Sequence, residues 1–571
     1  MNRFLDEIEE LRVGGMPLRD FLVFEDVSLW QFLPSWCAPA VFRTIELVRL
    51  LDQLVAELRP SELRYFPIED ETDRIWVGVI ESIGNKYGIP VQPHKVVLNP
   101  FRKACIAQSL RSWGAGFWIK QLQSFLDRRL FARKQKEVET RKTVVCATLG
   151  LRHWVKNPNS GRNYDEQFFP LLEAFRTKGW DRFLLVDCLN LPSRVLDQRN
   201  PDSPPDVCWR NFGFYSKLKM GSLYSAWRFV YSHWQTLKRD STFSAALQYE
   251  GVSLWPALEC EFRTLFFDRV LSSIYFLKTA KNLIRQEQPS VVVATYETGP
   301  WERALLIEAK KLGIPTVGLQ HGMIFGNHTD YMHARLNVDQ PPRSGAFVVP
   351  DVTCVWGSFW KNILLNPGRY PDSRVAITGN WRWDGGPQTQ RAKVPQSTKK
   401  QVAILPTAFD VNEFVRICLS TLRSMPECSP LIRLHPACYP ALVVQTIRAC
   451  GFPDDILVQT PLNTLLLESH LVIGQFSTVI GEALLMDRPV ILGNFQNRHF
   501  TTRFHDSGAC LYVTRSEELG PAIVALLKDP AALEKLERAR QSLVQDMFYD
   551  RDGQAAVRVA DAVESVSRSR A

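Results

Sequence analysis

The sequence predicts an α/β protein of more than one domain, each built on a parallel sheet, and three observations carry that expectation. Short β-rich runs alternate with amphipathic helical stretches along most of the chain, the pattern of repeated strand–helix–strand units. At about 100–200 residues per domain, its 571 residues are expected to fold as two or three domains. A Pro- and polar-rich stretch at 385–400 (GGPQTQRAKVPQSTKK) breaks the rhythm and reads as a loop or linker.

Taken in order, the N-terminus (MNRFLDEIEE) lacks the basic, apolar and small-residue succession of a signal peptide, and no uncharged apolar run reaches the roughly 18 residues of a membrane span. A cytoplasmic protein is expected. The segment from Pro60 (PSELRYFPIEDETDRIWVGVIESIGNKYGIPV) parallels the segment from Pro289 (PSVVVATYETGPWERALLIEAKKLGIPTV). Both read as strand, acidic loop, helix, Gly-Ile-Pro, strand, either by duplication or by independent use of a Gly-capped helix before a buried strand. Either way, Glu69-Asp70-Glu71 and Glu297 fall after strands, where open α/β sheets bind ligands.

From Arg102 to Lys142 eleven Lys/Arg stand against Asp127, Glu137 and Glu139, a local +8 that nearly accounts for the net +9 of the chain. Interleaved Phe101, Trp113, Phe117, Trp118, Phe125 and Phe131 suit a helix lying on an anionic membrane surface, or a solvated basic helix with its aromatics on its own core. Tyr215 to Arg239 repeats the pattern with Trp227, Trp234, Lys238 and Arg239. Because the charge sits with aromatics and beside no recognisable reading motif, nucleic acid is not expected as a partner. The 12 cysteines contain no Cys-x-x-Cys pair and read as buried free thiols.

Strands are expected at Thr143–Thr148, Arg182–Asp187, Ser290–Thr295, Thr316–Leu319, Val352–Trp356, Val375–Thr378, Gln401–Leu405, Leu431–Leu434, Leu471–Gly474 and Pro489–Leu492. The dinucleotide-binding, P-loop, zinc-protease and nucleophile-elbow signatures do not occur. What remains is a set of strand ends. Val317-Gly318-Leu319 breaks into Gln320-His321-Gly322, where a glycine lets the chain approach a ligand. Leu431-Ile432-Arg433-Leu434 ends at His435-Pro436. Leu471-Val472-Ile473-Gly474-Gln475-Phe476 runs into Ser477-Thr478 and a helix, whose N-terminus can hold a phosphate, although helix capping is the competing use of those hydroxyls. Glu482, one turn on, could reach a ribose diol or simply face solvent.

These strand ends, with Thr378-Gly379-Asn380 and Asp384, resemble the GT-B type bacterial surface-polysaccharide transferases. The resemblance spans roughly 290–492 and is strongest to capsule and lipopolysaccharide Kdo transferases, polysialyltransferases and CDP-glycerol glycerophosphotransferases. UDP-N-acetylglucosamine 2-epimerases look similar through the Thr-Gly-Asn segment but are shorter. The resemblance implies two Rossmann-like domains facing a cleft. Residues 1–345 would bind the acceptor and present the basic helices to a membrane, 346–545 would bind the donor, and 546–571 would form a helical tail, with helices from about Ala531 crossing back.

It further implies a metal-independent glycosyltransferase on the inner face of the cell membrane. Gln320, Gly322, His435, Pro436, Ser477, Thr478 and Glu482 would bind the nucleotide, and Glu297 or His321 would serve as base, with Glu297 favoured because its carboxylate is expected to face the cleft and be ionised. Asp165 and Glu166 are a third choice of base. The expected donor is a CMP-activated acidic sugar of the Kdo or sialic acid type and the acceptor a surface polysaccharide or glycolipid. A UDP-sugar or CDP-glycerol donor, and a non-catalytic subunit of a polysaccharide export complex, are the alternatives.

Overall fold

Strands buried on both faces read as unbroken apolar runs, and the central strands of two parallel sheets in the computed structural model are of that kind. The structure describes residues 7–65, 71–93, 142–149, 154–156, 163–188, 204–217, 220–326, 328–332, 336–337, 347–384, 399–407, 410–435, 438, 440–497 and 503–568. The first sheet contains β1 (Thr143–Thr148), β2 (Arg182–Asp187), β3 (Val207–Asn211), β4 (Val291–Ala294), β5 (Thr316–Leu319), β6 (Val352–Val355) and β7 (Val375–Ile377). They lie in the order β3-β2-β1-β4-β5-β6-β7, all parallel. The second contains β8 (Lys400–Leu405), β9 (Cys428–Ile432), β10 (Leu471–Gly474), β11 (Val490–Gly493) and β12 (Leu511–Val513), in the order β9-β8-β10-β11-β12, again all parallel.

The expected α/β architecture is therefore present, and most expected strands agree to within a residue. Leu431–Leu434 is instead Cys428–Ile432, an edge strand, which is where Pro430 is tolerated. The strands that the sequence did not announce, β3 and β12, are also edge strands, and most of their residues are only partly buried or exposed. In each sheet the strand order reverses once, between β1 and β4 and between β8 and β10. At such points the connections leave in opposite directions and open a crevice outside the carboxyl ends of the strands.

The principal helices are α1 (Pro34–Leu58), α2 (Glu71–Tyr87), α3 (Phe169–Thr177), α4 (Met220–Arg239), α5 (Trp255–Thr264), α6 (Leu271–Glu287), α7 (Pro300–Lys311), α8 (Ser358–Leu365), α9 (Val411–Leu422), α10 (Pro440–Ala449), α11 (Leu462–Glu468), α12 (Thr478–Leu485), α13 (Ser516–Lys528), α14 (Pro530–Phe548) and α15 (Ala555–Arg568). The Pro60 segment does form strand–helix–strand, with Leu63–Tyr65 parallel to Val91–Pro93 and α2 between them. Those strands make a separate two-stranded sheet, and α2 packs on α1 and α5. Its acidic loop, with Glu69 and Asp70, lies outside the described residues.

The basic aromatic stretch 102–142 lies almost wholly outside the described residues. Its second instance, α4, turns Trp234, Val230 and Leu237 into the core and stacks Trp227 on Tyr231, leaving Tyr224 and Tyr231 exposed. Trp234, and in part Trp227 and Phe229, thus pack on the domain's own core. Among the described residues, no helix is long and apolar enough to cross a membrane, and the cysteines are free thiols, most of them buried.

Two expected domain limits move. Because β6 and β7 complete the first sheet, a division at 345/346 would cut that sheet in two. The expected tail is no appendage either. Helix α14 leaves the second domain and packs on α8, and α15 packs on α3 and β6 of the first. The ties are specific: Trp360 Nε1 donates to the Met547 carbonyl at 2.6 Å, Ser358 Oγ donates to Asp546 Oδ1 at 2.5 Å, and the Ala556 amide donates to Asp384 Oδ2 at 2.6 Å.

Candidate functional site

The carboxyl end of β5 is shaped by Gln320. Its side chain is 1% exposed, donates through Nε2 to the Gly322 carbonyl at 2.9 Å and accepts the Trp356 amide on Oε1 at 2.8 Å. One bond at each end of the amide ties the turn to the end of β6, so Gln320 positions His321. Space beside Gly322 is open, since a Cβ there would meet no atom within 4 Å.

His321 is half-buried and meets the Tyr296 ring edge-on at 4.6 Å between centroids. Burial, with His328 and Arg382 nearby, brings its pKa down to about 4, against a smaller opposing pull from the Thr295 backbone. The imidazole is consequently neutral at neutral pH, the state in which it can accept a proton. Tyr296 in turn donates to Asp330 Oδ2 at 3.0 Å, and the Asp330 carboxylate lies 3.6 Å from His328 Nε2.

Glu297 does not do what its place in the sequence suggested. Its carboxylate is 3% exposed and lies over the first sheet, accepting from Thr353 Oγ1 and from the Tyr370 hydroxyl, each at 2.9 Å. Burial pushes its pKa up to about 7, so full ionisation at neutral pH is not expected either. The reason is local: Gly318 on β5 has no side chain, and the carboxylate fills that vacancy, 1.7 Å from where a Cβ would stand. Asp165 is also committed to structure. It accepts from Thr148 Oγ1 at 2.5 Å and from the Gln167 and Phe168 amides, holding the entry to α3, with a pKa raised to about 7 by burial.

The facing edge belongs to the second sheet. Where β8 and β10 part, Gln475 Oε1 accepts from both the amide and the hydroxyl of Thr407, at 2.9 and 3.0 Å, and fixes the two strand ends. Next along the chain, Ser477 takes the N-cap position of α12 without a capping hydrogen bond from its side chain. Capping therefore does not use this hydroxyl. His435 is exposed at the end of β9; Pro436 lies outside the described residues. Glu482 is buried in the same helix, where desolvation raises its pKa while Arg382 and Arg433 pull it down.

Those arginines are the residues that the sequence did not single out. Arg382 lies in the turn Trp381–Trp383 and reaches Glu166 at 3.4 Å. It lies within electrostatic reach of His321 from the first sheet and Glu482 from the second. Arg433, just past β9, donates to the Thr460 carbonyl and interacts with Glu482. The turn is anchored by Trp381, whose Nε1 donates to the Gln167 carbonyl at 2.6 Å. Gly379 permits it, with φ +80° and a Cβ position 3.1 Å from that of Ala555. The Thr378-Gly379-Asn380 and Asp384 stretch thus serves as the scaffold that aims Arg382 and docks α15.

At the meeting of the two sheet edges the fold therefore gathers a neutral imidazole, two guanidiniums, a buried carboxyl and the hydroxyls of a helix start. Such a set can accept a proton on one side and balance phosphate charge on the other. The Asp-x-Asp triplet Asp550-Arg551-Asp552 is used elsewhere: Asp552 pairs with Arg558 at 2.7 Å and accepts the Gln554 amide. Among the described residues, no group of three His, Cys, Asp or Glu side chains could hold a metal ion.

No family model matches the sequence, and no curated protein matches it. Solved structures do resemble the fold. A UDP-N-acetylglucosamine 2-epimerase aligns at 13% identity over 74% of this chain and 95% of its own, with a TM-score of 0.44. The wall teichoic acid polymerase TagF aligns at 12% identity over 82% and 99%, with a TM-score of 0.44. Staphylococcus aureus MnaA, solved with UDP, aligns at 13% identity over 74% and 96%, with a TM-score of 0.43. This chain is an α/β protein with parallel sheets of seven and five strands.

Proposed function

We propose that the protein is a metal-independent transferase that moves a group from a nucleotide-activated donor to an acceptor hydroxyl in the crevice between the two sheets. The observation that supports this best is the position of Arg382, within electrostatic reach both of His321 at the carboxyl end of β5 and of Glu482 in α12, the helix that Ser477-Thr478 opens and that Arg433 also approaches. In this reading the acceptor hydroxyl gives its proton to neutral His321 as its oxygen attacks the donor. The bond to the departing nucleotide phosphate breaks, and the negative charge left there meets Arg382, Arg433, His435 and the N-terminus of α12. Glu482 holds the ribose.

Two guanidiniums fit a diphosphate bridge better than a single phosphate, because each planar fork can take a separate phosphate group. The donor we favour is therefore a diphosphate-linked one, a UDP-sugar or CDP-glycerol, over a CMP-activated acidic sugar. The acceptor is a surface polysaccharide or glycolipid, met at an anionic membrane through 102–142.

The test is turnover with UDP-N-acetylglucosamine, CDP-glycerol and CMP-Kdo, each with a polysaccharide or lipid acceptor extract, scored by release of UDP or CMP with and without EDTA. Release from a diphosphate-linked donor, undiminished by EDTA, is expected. Release from CMP-Kdo alone would restore the acidic-sugar donor, and loss of activity in EDTA would remove the metal-independent mechanism.

A further inference from the structure

The second sheet has another cavity, of about 270 Å³, at its opposite end. It opens where β8, β10 and β11 begin and is walled by α13 and α14. Lys400, His470 and Arg488 line the sheet side, and Leu526, Leu533 and Leu536 line the helical side. Arg540 and two carboxylates complete the wall, with Arg540 lying 3.2 Å from Asp487 and 3.4 Å from Glu537. Lys400, Arg488 and Arg540 thus stand with Asp487 and Glu537, and Asp487 is also paired with Arg551 at 3.3 Å. The space is ample for an organic molecule and much larger than a single water or ion needs.

Such a lining, with one more cation than anions and a cluster of leucines from α13 and α14, matches a small anion that carries an apolar group. The cavity also touches the helix that joins the domains. Leu533, Leu536, Glu537 and Arg540 belong to the first part of α14. At its far end Asp546 and Met547 receive hydrogen bonds from Ser358 and Trp360. Phe548 packs on Trp383, beside Arg382, at 5.0 Å between ring centroids, and fills the place where a Cβ on Gly481 of α12 would lie. Phe548 also meets Trp356, whose amide is held by Gln320 next to His321.

We propose that this cavity binds a small organic monoanion and that its occupation bears on the crevice through α14, the latter part resting on the function proposed above. Because α14 contacts both walls of the crevice, a ligand that seats its first turns differently changes the packing under Arg382 and under α12. The effect has the size of the ligand's preference between the two seatings.

Calorimetry on the full chain with 4-phenylbutyrate tests the site, with 4-phenylbutanol lacking the charge and acetate lacking the apolar group. The carboxylate is expected to bind, and each control to bind about tenfold more weakly or worse. Lys400→Gln, at the half-buried start of β8, and Leu527→Trp, which fills the cavity from the leucine side, should each weaken it by about tenfold. Hydrogen exchange with 4-phenylbutyrate alone should slow the amides of 546–548 and 358–360. Neither measurement uses a nucleotide, so failure of the proposed function would leave both readable. No binding, equal binding of the alcohol, or unchanged binding in both variants would overturn the site. Binding with exchange unaltered at 546–548 would overturn the coupling.

Discussion

His321 and Glu297 follow adjacent strands, yet burial has opposite consequences for them. It keeps the imidazole unprotonated, with a pKa near 4, and keeps a proton on the carboxyl up to a pKa of about 7. His321→Asn should lower turnover by about 10²–10⁴-fold while donor affinity, measured by calorimetry, stays nearly constant. The acid limb of kcat/KM should fall near pH 4, well below the range of an unperturbed histidine. Glu297→Gln should leave turnover nearly intact and change stability instead. Between the ordinary carboxyl value of 4.5 and about 7 the folded chain holds a proton that the unfolded chain has lost. Stability contributed by this group is thus complete below about pH 4.5 and is lost as pH rises through 7. Urea midpoints at pH 5 and pH 8 should show Glu297→Gln gaining on the parent protein with rising pH. A parallel course would mean that the carboxyl is not held protonated.

Individual elements explain what could be read in advance. Strands β1, β4, β5, β10 and β11 were legible because burial on both faces demands a run of Val, Ile and Leu, and the residues that break those runs, His321 and Ser477 among them, announce the strand ends. Arg382 was not legible. Its place depends on Trp381 reaching Gln167 and on Asp384 reaching Ala556, contacts between segments far apart in the chain. Glu297 misled for the same kind of reason, since the vacancy at Gly318 that receives its carboxylate lies on the next strand. Gly318→Ala should destabilise the fold by about 1–3 kcal/mol through overpacking, read as a lower urea midpoint. Gly481→Ala should press on the Phe548 ring, 2.4 Å from the added Cβ, with a similar loss. An unchanged midpoint in either variant would show that the packing there is looser than described.

For the whole molecule, the fold is one in which the second domain ends inside the first. Helices α14 and α15 tie the two parts of the fold together on the side of Trp356, Trp360 and Trp383. Arg382, on the connection between the sheets, lies within electrostatic reach of His321 and Glu482, and Arg433, on the second sheet, interacts with Glu482. Calorimetric binding of CDP and UDP to the parent protein, to Arg382→Gln and to Arg433→Gln tests this most directly, with Arg538→Gln, on the exposed face of α14, as control. Each crevice substitution removes a charge-assisted contact worth about 1.5–3 kcal/mol, so both should weaken the diphosphates by about tenfold or more while the control binds as the parent does. Failure of the parent protein to bind either diphosphate, or equal binding by all the variants, would contradict a nucleotide site between the two sheets.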